Sequence, residues 1–279
     1  FYNTLINAMA YLERIFEAMD EKPEYDNKEA EILKDVKGNV RFKNVYFEYE
    51  KDNSILENIN MNIKSGEKVA LVGPTGAGKT TIVNLLSRFY RIKSGDILVD
   101  GIDINNIKLK SLRKEIGVML QDPFVFSGTI MENIRYGKLE ATDEEVINAA
   151  KIVKADEFIK EFTEGYNTYL NEQGSGLSVG QKQLISFARV LLSNPKILIL
   201  DEATSSIDTE TEALLQEGID KLLKGRTSFV IAHRLSTIVN SDKIMYIGDK
   251  KILECGNHNE LIKEKGYYYN LYKSQFLDI

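Results

Sequence analysis

Gly73-Pro74-Thr75-Gly76-Ala77-Gly78-Lys79-Thr80 fits the spacing G-x-x-x-x-G-K-[ST]. Glycines at such spacing let backbone N–H groups turn inward around phosphate oxygens, and a helix opening at the end of the run adds partial positive charge. Lys79 would reach the β- and γ-phosphates of a nucleotide, while the Thr80 hydroxyl would hold Mg²⁺. By chance the pattern arises in about one chain in a hundred of this length. A phosphate loop of this kind needs a carboxylate site for the metal and the water, and Ile197-Leu198-Ile199-Leu200-Asp201-Glu202 supplies one. Two acids follow an apolar run at its carboxyl end, where open α/β sheets bind ligands. Asp201 would hold Mg²⁺ through water, and Glu202 would orient and polarise an attacking water. His233 closes another apolar run, so the same rim could bring its imidazole near the γ-phosphate; a strand-end histidine that only packs is the plain alternative. His258, between Asn257 and Asn259, reads as a local turn or cap contact.

Holding these groups together takes a particular scaffold. Lys68–Val72, Ile197–Leu200 and Phe229–Ala232 are continuous apolar runs, which suit central parallel strands covered on both faces. Val40 to Tyr49 and Ile59 to Ile63 alternate instead, as antiparallel strands with one wet face do. The phosphate loop falls between an apolar strand and a helical run from Thr81 to Tyr90. Thr142-Asp143-Glu144-Glu145 is a capping box opening a helix. Strands around Gly248-Asp249 read as a hairpin, and the tyrosine-rich stretch from Asn259 to Phe276 reads as helix. The fold class is α/β: a parallel P-loop core with an antiparallel edge.

Ahead of this region, Leu5, Met9, Leu12, Ile15, Phe16 and Met19 form one apolar stripe at helical spacing. Such a helix would be about 30 Å long. Asn3, Asn7, Glu13, Arg14 and Glu17 interrupt it, so it cannot lie in lipid unaided. It stops at Asp20-Glu21-Lys22-Pro23, and residues 22–39, charged and poor in large apolar groups, read as a linker. Two readings compete: a surface helix of the globular part, or a helix entering from something upstream. The second is preferred, because the chain starts in mid-pattern.

Composition narrows the class. In 279 residues, 36 Lys plus Arg against 42 Asp plus Glu give a net charge of −6, which argues against an electrostatically driven nucleic-acid binder. A hydrophobic content of 43% suits a chain with a proper core. The single cysteine, Cys255, excludes an internal disulfide and makes a reducing compartment the default. No apolar run approaches the roughly 18 residues of a membrane span, so the chain reads as soluble by itself.

Leu177-Ser178-Val179-Gly180-Gln181, followed by Lys182 to Arg189 and then by the acidic pair about 20 residues on, resembles the signature of the ABC ATPases. A hydroxyl and free N–H groups at a helix start make a second anion site. The resemblance implies that Ser178, Gly180 and Gln181 complete the catalytic pocket of an opposite subunit in a head-to-tail ATP sandwich. It covers essentially all of residues 35–279. It implies further that Tyr49 stacks on adenine, although Glu50 stands where a proline is usual, and that residues from Gly73 to Thr81 wrap the phosphates. Gln121 matches the glutamine that senses Mg²⁺ and the membrane domain, Ser205-Ser206-Ile207-Asp208 matches the loop that crosses to the other subunit, and His233 matches the switch histidine. Lys79, Gln121, Glu202 and His233 are thereby implied as catalytic, with Thr80, Gln121 and Asp201 at the metal.

The stretch Gln121 to Ile130, the helix ending Arg14-Ile15-Phe16-Glu17, and Thr168 to Gly174 are similar to exporters that join membrane and ATPase domains in one polypeptide. On that likeness residues 1–34 are the end of the last membrane-domain helix plus a linker. Residues 35–279 are an ABC ATPase domain, with a helical subdomain inserted at about 122–186. The implied function is ATP hydrolysis driving export at the cytoplasmic face of the membrane, with ATP and Mg²⁺ as cofactors. The implied partners are a second ATPase domain, as homo- or heterodimer, and the membrane-spanning part of the same polypeptide, without nucleic acid. Val179 at the third signature residue, and Tyr169-Leu170-Asn171 in the exporter loop, weaken the case for a symmetric homodimer and leave homodimer against heterodimer open. Two other readings are a soluble ABC ATPase acting on DNA or ribosomes and a regulatory subunit that binds ATP without turnover. Against the first, fewer than 110 residues separate Lys79 from Leu177, too few for a long coiled coil, and there is one cassette rather than two. Against the second, Glu202 is kept.

Overall fold

A computed structural model describes residues 2–20, 26–120, 123–201, 209–232 and 235–276. The first helix, α1 (Tyr2–Asp20), buries none of its residues. Its apolar stripe lies open, as a helix not packed on the globular part would leave it.

The antiparallel strands form as their alternation predicts, and further. Strands β1 (Val40–Glu50) and β2 (Asn53–Ile63) make one hairpin across Lys51-Asp52, with Asp52 at φ +66°. Strand β3 (Lys68–Val72) leads into the phosphate loop, and helix α2 (Lys79–Leu86) follows it. The predicted helix reaches to Tyr90, but the observed one stops four residues earlier. Arg88 takes φ +52°, a left-handed turn that brings the chain back toward the sheet. Strands β4 (Ser94–Val99) and β5 (Ile102–Asp103) complete a sheet of order β2-β1-β4-β5.

After α3 (Leu109–Lys114) comes β6 (Ile116–Met119). A two-stranded ribbon, β7 (Gly128–Thr129) with β8 (Tyr169–Leu170), brackets α4 (Ile130–Arg135), α5 (Asp143–Ile152) and α6 (Ala155–Ile159), and α7 (Val179–Ser193) follows. The capping box read at Thr142 is present: its side chain accepts from the Glu145 N–H. The second sheet gains β9 (Ile197–Asp201), then, after α8 (Thr209–Leu223), β10 (Thr227–Ile231). Beyond α9 (Leu235–Val239) lie β11 (Lys243–Gly248) and β12 (Lys251–Gly256), the hairpin expected around Gly248-Asp249. The order is β12-β11-β3-β10-β9-β6, parallel throughout except for β12 at the edge.

Period-two alternation in the parallel strands feeds two cores. Val69, Leu71, Ile199 and Ile231 face the antiparallel sheet and α2, whereas Ala70, Val72, Leu200 and Val230 face α4, α5 and α7. That two-sided burial is why these runs read as continuous rather than alternating. The tyrosine-rich end is two helices, α10 (His258–Glu264) and α11 (Tyr267–Phe276), broken at Lys265, which takes φ +53°. His258 does not cap: Asn257 does, and the His258 Nδ1 instead lies 2.7 Å from the hydroxyl of buried Tyr268 on the next helix.

Part of the stretch read as a linker is bonded to the domain. Asp26 accepts from the Arg88 guanidinium (3.0 Å) and the Leu109 N–H (2.8 Å), and the Leu33 N–H donates to the Ser111 hydroxyl (2.9 Å). Residues 26–33 are thus strapped to the 104–111 segment. Short polar side chains that bond backbone groups elsewhere carry no apolar periodicity, so the strap has no sequence pattern to announce it.

Candidate functional site

Because all strands of the core but β12 run parallel, their carboxyl ends share one edge. Register pairs Ile231 of β10 with Leu71 of β3 on one side and with Asp201 of β9 on the other. The phosphate loop therefore leaves β3 two strands away from the Asp201 carboxylate. Between them opens a cavity of about 490 Å³, lined by Tyr49, Ile55, residues of the loop from Thr75 to Thr81, Asp201 and Ile231.

The loop is shaped by its glycines. Gly73, Gly76 and Gly78 take φ of +136°, +80° and +97°, so all three use backbone that disfavours a side chain. A Cβ on Gly76 would meet nothing within 4 Å, and Gly76 lines the cavity. Gly78 caps α2 with left-handed geometry and no side-chain bond, which leaves the helix start to an external acceptor.

Lys79 is buried, and its ammonium donates to the carbonyls of Gly73 and Pro74, each at 2.8 Å. Burial pulls its pKa below the ordinary lysine value, and the Asp201 carboxylate offsets part of that effect. A half-desolvated cation held by neutral carbonyls gains from any anion that enters the loop. Thr80 is exposed at the cavity, beside the half-buried Asp201. Among the described residues no group of three or more His, Cys, Asp or Glu side chains gathers as a metal cage. One hydroxyl and one carboxylate fit Mg²⁺, which keeps water and phosphate oxygens as its other ligands. The residues present fit Mg-ATP.

Tyr49, 48% exposed, stands at the rim, its hydroxyl 3.1 Å from that of Thr81. Two further contributors were not legible in the sequence: Ile55 from β2, and Tyr90, whose ring lies against Tyr49. Ile55 carries only ordinary strand alternation, and Tyr90 sits past a helix end with no motif around it.

The signature residues are not part of this cavity. Ser178 is the N-cap of α7: its hydroxyl accepts from the Gln181 N–H (3.2 Å), and its own N–H donates to the Gln181 side chain (3.0 Å). The expected free N–H groups are thus fewer than four, because the capping box occupies two of the local donors. Ser178 and Val179 are exposed, and Gly180 is buried. Gln121, Glu202, the Ser205–Asp208 stretch and His233 lie outside the described residues. The strands that precede three of them, β6, β9 and β10, all end at the cavity's edge of the sheet.

A P-loop at the carboxyl edge of a parallel sheet, joined to an antiparallel sheet and a helical insertion, defines an ATP-binding domain of the ABC class. The profile of the ABC transporter family matches residues 56–205, and the chain belongs to that family. An uncharacterised ABC transporter ATP-binding protein of Bacillus subtilis, YfiC, is 49% identical over 276 residues, covering 99% of this chain and 46% of that protein. The putative multidrug export ATP-binding/permease protein YgaD of the same organism is 50% identical over 277 residues (99% and 48%). A fatty acid ABC transporter ATP-binding/permease protein of Mycobacterium tuberculosis is 47% identical over 270 residues (97% and 43%). The chain spans about half the length of the curated relatives it matches. Among solved structures, a bacterial Atm1-family ABC exporter with ATP bound superposes with a TM-score of 0.88 at 39% identity, covering 99% of this chain and 48% of that one. The chain is therefore an ABC transporter ATP-binding domain homologous to exporter-type ATP-binding/permease proteins, in a family that hydrolyses ATP to drive transport.

Proposed function

We propose that this chain is the motor of an ABC exporter at the cytoplasmic face of a membrane. In this reading residues 1–34 are the end of the last membrane-domain helix plus linker, and 35–279 are the ATPase domain. Among the described residues no helix is long and apolar enough to cross a membrane, so a spanning portion would belong to the rest of the polypeptide. The observation that carries the reading is the joint placement of Lys79, Thr80 and Asp201 around one cavity with Tyr49 at its rim.

Tyr49 stacks on adenine, residues 73–81 hold the phosphates, and Lys79 exchanges its two carbonyl contacts for phosphate oxygens. Thr80, Asp201 and Gln121 would hold Mg²⁺, which would supply charge neutralisation on the phosphate oxygens when bound. Glu202 takes the proton of the attacking water as the water oxygen bonds to the γ-phosphorus, the bond from that phosphorus to the β–γ bridging oxygen breaks, and ADP leaves with that oxygen; His233 supports the γ-phosphate. Ser178, Gly180 and Gln181 serve the site of a second ATPase domain docked head-to-tail.

Lys79→Ala should abolish measurable ATP binding or turnover, since it removes a charge-assisted contact. Calorimetric titration of ATP into wild type and variant checks this; equal affinity and turnover would remove the loop from the site. Glu202→Gln should keep binding and lose about 10²–10⁴ in rate, read as phosphate release. Wild-type turnover there would mean that another group activates the water.

A further inference from the structure

Tyr49 is held on three sides. Its hydroxyl meets Thr81, and its ring stands nearly perpendicular to two others. The Phe47 centroid lies 4.7 Å away at 87°, and the Tyr90 centroid 4.9 Å away at 86°. Phe47 also touches Tyr90, at 5.8 Å and 56°. Edge-to-face contact is the arrangement that ring quadrupoles favour. Phe47 is buried and shares strand β1 with Tyr49, so it cannot fix the ring from the far side. Tyr90 comes from elsewhere, the short segment between α2 and β4.

That segment is tied at both ends. Buried Arg88 donates to the carbonyls of Ile104 (2.9 Å) and Ile107 (2.7 Å), and the Lys93 N–H donates to the Tyr46 carbonyl (2.9 Å). A Lys93–Glu48 ion pair at 2.7 Å lies beside it. Tyr90 is 46% exposed, yet its backbone has little room to move. No phosphate-loop residue other than Thr81 enters this arrangement.

The geometry points to Tyr90 as a positioning residue for the nucleobase: with Thr81 it sets the plane of the Tyr49 ring before the base arrives. The inference rests on Tyr49 being the base platform. The terminal torsion of an aromatic side chain is broad, so a platform lacking one of its two perpendicular neighbours must be ordered on binding, and that ordering lowers affinity. Phosphates are held by a loop that Tyr90 does not touch, so their binding is indifferent to it.

The test separates base from phosphate. Affinities for ATP and for inorganic tripolyphosphate are measured by competition on wild type, Tyr49→Ala, Tyr90→Ala, Tyr90→Phe and the double alanine variant, each checked for unaltered thermal unfolding. Tyr90→Ala should weaken ATP by about 2- to 12-fold, the usual worth of one aromatic pair, and leave tripolyphosphate unchanged. Tyr90→Phe should bind as wild type, and Tyr90→Ala should cost nothing further once Tyr49 is alanine. If Tyr49→Ala weakens ATP and Tyr90→Ala does not, the positioning role is overturned and the platform stands. If Tyr49→Ala leaves ATP affinity unchanged, the platform reading fails and this inference with it. Equal loss of ATP and tripolyphosphate in Tyr90→Ala would make Tyr90 a support of α2, which also overturns the role.

Discussion

A Cβ on Gly73 would overlap the backbone carbonyl of Ile247 in β11, whereas one on Gly76 would meet nothing. The two residues belong to one motif and answer to different constraints. Gly73 lets the loop leave β3 against a neighbouring strand whose backbone cannot yield; Gly76 supplies only a left-handed turn at φ +80°. Gly76→Ala should then cost the usual price of a left-handed L-residue, about 1–2 kcal/mol. Gly73→Ala adds a backbone clash and should exceed about 4 kcal/mol or fail to fold. Urea midpoints of the two variants check the order, and equal losses would mean that β11 shifts to admit the methyl. This marks where the sequence is legible. The motif spacing announces a phosphate cradle, and Lys79, Thr80 and Asp201 do line one cavity. Which glycine answers to phosphate and which to packing depends on β11, some 170 residues later, and no local pattern encodes that. Tyr90 and Ile55 escape for the same reason, since only the tertiary fold brings them to Tyr49.

At the scale of elements, apolar runs and caps are readable because burial and capping act locally: β3, β9 and β10, the hairpin at Gly248-Asp249 and the Thr142 box all stand where their patterns put them. Elements held by long-range polar clasps are not. Asp100, in the turn between β4 and β5, shows why. Its carboxylate accepts from the N–H groups of Lys37 (2.8 Å), Gly38 (3.1 Å) and Asn39 (2.8 Å), and from the Asn39 side chain (2.7 Å). Burial pushes its pKa up, but the Gly38 and Asn39 donors, with Lys37, outweigh it and hold the carboxyl below its ordinary value. A folded pKa below the unfolded one stabilises above the ordinary carboxylate range of about 4. That contribution is lost as pH falls through the folded pKa. Asp100→Asn should therefore cost about 1–3 kcal/mol at pH 7, and the gap to wild type should close in acid. Urea unfolding at both pH values measures it; a gap independent of pH would assign the loss to amide geometry rather than charge. Arg88 is the second clasp. Its guanidinium, 4% exposed, joins the carbonyls of Ile104 and Ile107 to Asp26, fastening the stretch after α1 to the end of the P-loop helix. Arg88→Met removes these donors and leaves Asp26 without its cation, and should cost about 2–4 kcal/mol, measured by the same unfolding.

At the scale of the whole molecule, two surfaces among the described residues bear on assembly. One is α1, with Met9 62% and Phe16 56% exposed and nothing buried. Removing residues 2–20 should leave the unfolding midpoint within about 0.5 kcal/mol of the parent; a larger loss would mean that α1 packs on the domain in solution. The other is the start of α7. Ser178 presents a capped helix terminus to solvent, and Val179 beside it is 50% exposed. Neither lines the cavity that Lys79 and Asp201 share. On the head-to-tail pairing proposed above, this helix start would meet its anion on a second chain, whose phosphate cradle is built from other elements. ATP would then be contacted from two sides, and its γ-phosphate would act as the bridge. Turnover should accordingly rise more than linearly with protein concentration. A mixing experiment isolates the shared site. Ser178→Arg chains keep an intact cradle and Lys79→Ala chains an intact α7 start, so each is inactive by itself. A mixed dimer holds one complete site, made of Lys79 from the first chain and Ser178 from the second. If the chain pairs with itself, an equimolar mixture should recover up to about a quarter of wild-type activity, because half the dimers are mixed and each has one good site of two. Concentration-independent activity from a chain shown by sedimentation to be monomeric would overturn the shared site, since Ser178 would then be reaching the phosphates of its own loop.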